Sequence, residues 1–474
     1  MSFRYGNREQ ITLFPQSVQE YVKDTDPVRA YDAIVESFDF FQLGIDLETD
    51  KVGNPQYDPK AMLKLLLYGY SYGIRSSRKL ERAIYHNISF IWLMGGLKPD
   101  HKTIAEFRRK NKRALIGVMK QCARICLELD LIEGNTLFVD GTKMAANASL
   151  KATWDKKKCE RNLKAIDRRI EVILEECEAV DDKEKEQGSL VKMEEKLKNE
   201  EVLKAKIKVI QQQLEEEGKK SHNTTDSQCV RVKNKKRTQA GYNSQVVTDE
   251  KNGLIVHSDV VTNNNDVGEF SSQINQANET LGKKCKTACA DAGYANTDEL
   301  EKIDIQNIDV IVPSTRQATK KKQKPFSKSD FQYDRASDSY QCPQGHRLIF
   351  TSIDKKLGHR RYKITNKYIC RKCCYFGQCT SSKNGRRLSR LKNEHVKEKL
   401  ESFYLLPKSQ EIYKLRKQKA ELPFGYIKYN LKTNSFLLRG LKGVQAEFSL
   451  LTSCFNIIRM IKLKGVNGLI DQLI

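Results

Sequence analysis

The stretch Leu137-Phe138-Val139-Asp140-Gly141-Thr142-Lys143 decides how this chain is read. Leu137-Phe138-Val139 is a short apolar run, partly β-branched, and predicts a buried strand. Asp140 is expected to end that strand with a carboxylate, and Gly141 to let the backbone turn away. A carboxylate on such a rigid mount can position a metal ion. An ordinary Asp before a turn would read the same way. Two later acids, Asp291 and Glu421, give the stretch its meaning.

Downstream, residues 241–249 have the composition of a strand, Asn252-Gly253 marks a hairpin turn, and residues 254–261 read as the returning strand. Residues 266–281 fit a helix with Phe270, Ile274 and Ala277 on one face. Residues 286–290 form a small-residue strand ending at Asp291, with a helix expected at 297–303 and one more strand at 305–312. This order suits a mixed sheet flanked by helices, with Asp140 and Asp291 at strand tips, where open α/β sheets hold their ligands. The fold class expected is therefore an α/β core assembled from residues 131–154, 239–315 and 391–474.

The bulk properties point the same way. A chain of 474 residues allows two to four domains. A hydrophobic content of 39% is enough for real cores. A net charge of +24 favours a polyanionic partner, nucleic acid before a membrane surface. No apolar run approaches a bilayer span, and the start, Met1-Ser2-Phe3-Arg4-Tyr5-Gly6, lacks the apolar core of a signal peptide. A reducing, cytosolic location follows, so the thirteen cysteines are not expected to form a disulfide framework.

Residues 1–130 read as helical. Pro59 opens one helix, the Tyr68–Gly73 segment is expected to break it, Ser76-Ser77 caps the next, and Thr103-Ile104-Ala105-Glu106 has capping-box spacing. Lys102, Arg108, Arg109, Lys110, Lys112 and Arg113 make the last of these very basic, as in a helix-turn-helix-like DNA-binding domain. Residues 155–218 carry coiled-coil periodicity through Leu163, Ile166, Ile170, Ile173, Cys177 and Val180, then Leu203, Ile207, Ile210 and Leu214, broken near Asp181-Asp182-Lys183 and Gly188-Ser189. They predict a helical hairpin insertion. A polar, basic link with Lys219, Lys220, Arg231, Lys233, Lys235, Lys236 and Arg237 follows.

Residues 316–390 read as a basic, Cys-rich insertion that begins near Lys320-Lys321-Lys322-Gln323-Lys324. Cys370-x-x-Cys373 has the bite of a zinc knuckle, and Cys342 and Cys379 complete a tetrahedral thiolate set for a structural Zn²⁺; His346 or Cys374 are the alternative ligands. The second Cys-x-x-Cys of a full zinc ribbon is missing. Beyond it, Glu421 is a lone acid among Arg416, Lys417, Lys419 and Lys428, and residues 446–461 make a closing amphipathic helix.

Two strand-borne acids and one on a later helix can hold two divalent cations for phosphodiester displacement. Carboxylates suit Mg²⁺ or Mn²⁺, and the surrounding bases suit DNA phosphates. Phe138-Val139-Asp140-Gly141-Thr142, Ala290-Asp291-Ala292-Gly293-Tyr294 and Tyr413-x2-Arg416-x4-Glu421-x6-Lys428 resemble the DDE transposases of bacterial insertion sequences. Gly241-Tyr242-Asn243-Ser244-Gln245, Arg439-Gly440, and Asn456 with Arg459 are similar to the same group, as is the amino-terminal stretch from Tyr57-Asp58-Pro59 through Phe107-Arg108. The resemblance implies a ribonuclease-H-like core with catalytic, metal-holding Asp140, Asp291 and Glu421. It also implies that Tyr413, Arg416 and Lys428 contact element-end DNA, and with them Arg439, Arg108 and Arg109. The partners implied are double-stranded DNA (terminal inverted repeats and target), bound by a homodimer near the bacterial nucleoid, with no membrane. The chain departs from the related signature in having four residues, not three, between Arg416 and Glu421. Pro423 is expected to end or bend the helix carrying the third acid. The competing readings are a nuclease of the same fold without strand transfer and a sequence-specific DNA-binding protein without chemistry.

Overall fold

The computed structural model describes residues 17–47, 56–181, 187–216, 218, 221–234, 237–319, 325–355 and 358–473. The chain start, Lys219, Lys220, Lys235, Lys236, the 320–324 basic run, the Asp182-Lys183 break and the side chains of Cys177 and Val180 lie outside the described residues. Two compact units result. The first takes the described residues up to Asp266, then Ser272–Cys285 and those from Leu415 onward; the second takes Val267–Ser271 and Lys286–Lys414. Among the described residues no helix is long and apolar enough to cross a membrane.

In the first unit, strand Thr136–Ala145 runs antiparallel to strand Arg237–Asp249, which also pairs with Val230–Asn234 and Ile255–Val261. The expected hairpin is present: Gly253 takes φ +63° in the turn and Asp249 N donates to Leu254 O at 2.9 Å. One expectation is corrected. Asp140 does not end its strand, because the ladder continues past it to Ala145 opposite Gly241. The continuation demands a bare backbone on the partner. A Cβ on Gly241 would stand 2.4 Å from the Met144 carbonyl oxygen, closer than any real contact.

Helix Leu441–Lys464 organises the core of this unit. Val444, Phe448, Leu451, Phe455 and Ile457 are buried, and the helix packs on Lys112–Glu128, Pro59–Ser71 and strand Ile255–Val261. Each such side chain contributes about 1.5–3 kcal/mol by leaving water. Polar clamps fix the register. Buried Asn456 accepts from Ile255 N at 2.9 Å and donates to Ile255 O at 2.8 Å, while Arg459 donates to Asn252 O at 2.6 Å. Buried Glu447 meets Arg75 at 2.6 Å and accepts from Leu437 N and Leu438 N. Burial pushes the Glu447 carboxyl up, against the pull of Arg75 and those two amides.

The amino-terminal helices differ in detail from the sequence reading. Pro59–Ser71 runs through Tyr68-Gly69-Tyr70, since all three residues are buried. The third helix is His101–Lys110, capped not by Thr103 but by Asp100, whose carboxylate accepts from Thr103 N at 2.7 Å. The insertion consists of helices Lys156–Asp181 and Gln187–Glu216, packed through Cys159, Ile166, Ile207 and Leu214. Ion pairs Asp167–Lys204 and Arg169–Glu200 make them antiparallel. Gly188-Ser189 falls inside the second helix and does not break it, and Leu203 is largely exposed instead of joining the seam. A two-stranded ladder, Thr153–Trp154 with His222–Asn223, ties the insertion at its base.

In the second unit, strand Thr287–Ala290 pairs parallel with Asp309–Ile311, and helix Thr297–Asp304 connects them. Five further strands, Gln332–Asp334, Ser339–Gln341, Arg347–Ile353, Arg360–Ile364 and Arg387–Arg390, form an antiparallel sheet over a core of Phe331, Tyr340, Leu348, Tyr362, Ile364 and Leu388. The sequence reading had not anticipated these strands.

Candidate active site

Strand alternation puts Asp140 and Thr142 on one face of Thr136–Ala145 and Lys143 on the other. Helix Glu421–Tyr429 carries Glu421 and Lys428 seven residues apart, two turns along one face. The two elements meet. Lys428 Nζ donates to Thr142 Oγ1. Arg416 Nη1 lies 3.7 Å from Asp140 Oδ1, and Arg416 Nη2 donates to Glu421 Oε1 at 3.1 Å. The guanidinium is therefore shared between two carboxylates that lie 281 positions apart in the chain. Its side chain is 11% exposed and that of Asp140 13%, against 52% for Glu421.

The helix geometry around Glu421 has a simple cause. Pro423 has no N–H to give Lys419 O, the acceptor four residues earlier, and its ring would crowd that carbonyl. Helix Pro407–Lys419 accordingly stops at Lys419, and Glu421–Tyr429 starts afresh with Pro423 in its first turn. The expected interruption occurs, but before the acid, not after it. Glu421 thus stands at a helix start, where the backbone dipole favours negative charge.

Asp291 belongs to the second unit. It follows strand Thr287–Ala290 directly, as expected, and its Oδ1 accepts from Gly293 N at 2.7 Å, capping a single helical turn. Of the residues expected on DNA, Tyr413 is half-buried with its ring 5.1 Å from that of Tyr404. Arg439 is exposed and donates to Asn147 O at 3.0 Å. Arg109 is exposed and paired with Glu106 at 2.6 Å. Arg108 must be set apart. It is 5% exposed and its guanidinium is committed to Tyr70, Arg75 O and Ser77, so it holds the amino-terminal helices together and offers nothing to a phosphate.

Sequence reasoning missed a second polar cluster. Asp266 accepts from Lys143 Nζ at 2.9 Å, Asn243 Nδ2 at 2.8 Å and Gln245 Nε2 at 2.7 Å. These donors lie on the sheet face opposite Asp140. The available signal was Lys143, whose odd, three-residue offset from Asp140 turns it to the opposite face of the strand.

Cys342, Cys370, Cys373 and Cys379, with His346, line one cavity of about 30 Å³ walled by Phe326, Phe331 and Ile364. Burial pushes the Cys379 thiol up, Arg386 draws it back, and the neighbouring thiols of Cys370, Cys342 and Cys373 push it further. The described cysteines are free. Among the described residues no group of three or more His, Cys, Asp or Glu stands ready to hold a metal ion. Asp140 and Glu421 share the Arg416 guanidinium instead. Their donor chemistry fits a divalent ion nonetheless, being hard carboxylate oxygens drawn to one positive charge.

Comparison with protein families gives two matches. A model described as Transposase domain (DUF772) matches residues 16–110, and one described as Transposase DDE domain matches residues 341–461. The second spans the cysteine cluster, Arg416, Glu421 and the Asn456 clamp. Together they support membership in a transposase family. No curated protein matches the chain.

Proposed function

We propose that the chain is an insertion-sequence transposase that cleaves and joins DNA phosphodiester bonds at element ends with Asp140, Asp291 and Glu421 as its metal-holding acids. The observation that carries this reading is the shared guanidinium: Asp140 and Glu421, remote in sequence, are held by one cation on Arg416. A ribonuclease-H-like core, with Asp291 supplying the third carboxylate, follows from the order of the motifs. Two Mg²⁺ or Mn²⁺ ions, when bound, activate the attacking oxygen and stabilise the leaving one.

The chain's own residues do the rest. Asp140 gives the site a fixed carboxylate, because its strand is paired on both sides of it. Lys428, held by Thr142 beside Asp140, sets a positive charge where a scissile phosphate would lie. Arg416 keeps the two acids from repelling each other, and its guanidinium would be available to DNA phosphate where metal ions held those acids. Tyr413, Arg439 and Arg109 add contacts to the DNA backbone, and a homodimer brings the two element ends together. In the same reading a structural Zn²⁺ would be held by Cys342, Cys370, Cys373 and Cys379; the convergence of all four on one small cavity supports it.

The test is cleavage and strand transfer on the element's own terminal repeats with Mg²⁺ or Mn²⁺. Asp140→Ala, Asp291→Ala and Glu421→Ala should each lose at least on the order of 10²–10³-fold in rate while duplex binding persists. Retained cleavage in any of the three rejects its assignment. Cleavage without joining of 3′-hydroxyl ends to target DNA would favour the nuclease reading.

A further inference from the structure

The charge of this chain is not spread evenly. Residues 331–390 hold fourteen Lys and Arg against three Asp and no Glu, so one-eighth of the chain carries nearly half of the +24 excess. These residues are the five-stranded sheet of the second unit and its connections. One face of that sheet is spent on the core of Tyr340, Leu348, Tyr362, Ile364 and Leu388.

The opposite face follows from the register. Ile349 pairs with Lys363 and Lys363 with Arg387, while Ser352 pairs with Arg361 and Arg361 with Ser389. Alternation places Arg361, Lys363 and Arg387 together on the side away from the core. Arg361 and Arg387 are exposed and Lys363 is half-exposed. Lys363 and Arg387 stand directly opposite each other on neighbouring strands. Like charges so placed destabilise a sheet, and nothing in the fold of this unit requires them. Arg361 is paired with Asp354, the one acid of that edge. Strands lie about 4.8 Å apart and same-face residues about 6.8 Å apart along each. Cations at that spacing can each face a phosphate of duplex DNA, which bears one negative charge per roughly 1.7 Å of axis.

We infer that the outer face of this sheet is a docking surface for duplex DNA, binding the phosphate backbone without reading sequence. The inference rests on the transposase reading only for the choice of polyanion. A rigid array of cations repeated on two axes favours a stiff duplex over an acidic peptide or a fluid anionic bilayer.

The experiment uses the full chain and a random-sequence 30-base-pair duplex without divalent metal, titrated by fluorescence anisotropy at several salt concentrations. The triple variant R361Q/K363Q/R387Q should bind on the order of 100-fold more weakly at 0.15 M salt, and its log Kd against log salt slope should flatten by nearly three, about 0.9 per lost phosphate contact. Its melting temperature should hold or rise, since outward cations are removed. A folded variant with the wild-type slope overturns the inference. So does a wild type that binds phosphatidylglycerol vesicles and not the duplex. Asp140→Ala separates the two readings. If the wild type fails to cleave yet the triple variant loses its salt slope, the catalytic reading falls and the docking surface stands. If cleavage depends on Asp140 while the slope is unchanged in the triple variant, the reverse holds.

Discussion

The two sheets of this protein handle charge in opposite ways. In the first unit, strand Arg237–Asp249 is buried over ten successive residues, from Ala240 to Asp249, so both faces are covered. The charges on strand Thr136–Ala145 are met: Asp140 by Arg416, Lys143 by Asp266. In the second unit, Arg387–Arg390 alternates exposed and buried residues, and the outer face carries cations set against each other. A two-sided sheet admits charge only where a partner answers it, because an unpaired buried charge costs several kcal/mol. A one-sided sheet can display charge to the solvent, and to whatever binds from it. The first arrangement suits chemistry; the second suits contact.

The largest effect should come from disturbing the paired charge. Arg416→Ala removes the guanidinium that Asp140 and Glu421 share. Mn²⁺ binding without DNA, followed by electron paramagnetic resonance, should tighten by on the order of 10³-fold, since one charge–charge interaction near a surface is worth about 4 kcal/mol. Unchanged or weaker Mn²⁺ binding would show that the guanidinium does not compete with metal. Next in size is the buried ring of His257, on strand Ile255–Val261. Burial pushes its pKa down to about 4, with Glu279 raising it slightly and Lys120 lowering it. The unfolded imidazole takes its proton near the usual value of about 6.5, whereas the folded one resists it. Stability should therefore be full above that value and fall as pH drops toward 4, by on the order of 3 kcal/mol. Denaturant melts across this range should show the loss, and His257→Gln should flatten it. A wild-type curve without slope there would rule out a neutral buried ring.

A steric change on the two-sided sheet ranks third. Gly241→Ala should destabilise the first unit by about 1–3 kcal/mol, since neither Met144 nor Val232 can withdraw from a new methyl group. An unchanged urea midpoint would mean the ladder there is looser than it stands. Zinc comes next. Protein purified without chelator should contain one equivalent, lost in Cys370→Ser, and metal analysis of the wild type showing none would end that proposal. The smallest effect belongs to the one-sided sheet. Lys363→Thr should leave stability unchanged or raise it by about 0.2–1 kcal/mol, by relieving the clash with Arg387. A clear loss would make Lys363 part of the fold and remove the contrast between the sheets.

Much of the first unit was legible in the sequence because its signals were local. Asn252-Gly253 announced its hairpin, just as the small residues before Asp291 announced a strand of the second unit. The length of the Asp140 strand was not legible. Gly141 reads as a turn, and only the partner strand, with its own Gly241, keeps the ladder going. The five-stranded sheet escaped for a different reason. Arg360 and Arg390 occupy inward positions, stacked over Phe350 at 4.5 Å and Tyr333 at 3.7 Å, so alternation written in arginine looks like a basic loop. Arg108 misled in the same way: a guanidinium with three internal acceptors has the same letter as one facing DNA. The convergence of Asp140 and Glu421 could be guessed from motif order, but the cation between them belongs to tertiary structure alone.

The missing amide of Pro423 has one further consequence. It splits what would be a single rod into two, joined at Ala420, with the basic lock on one side of the joint and the acid it secures on the other. Phe424 and Ile427 anchor the second rod in the interior. The first rod thus sets the guanidinium and the second sets the carboxylate it meets.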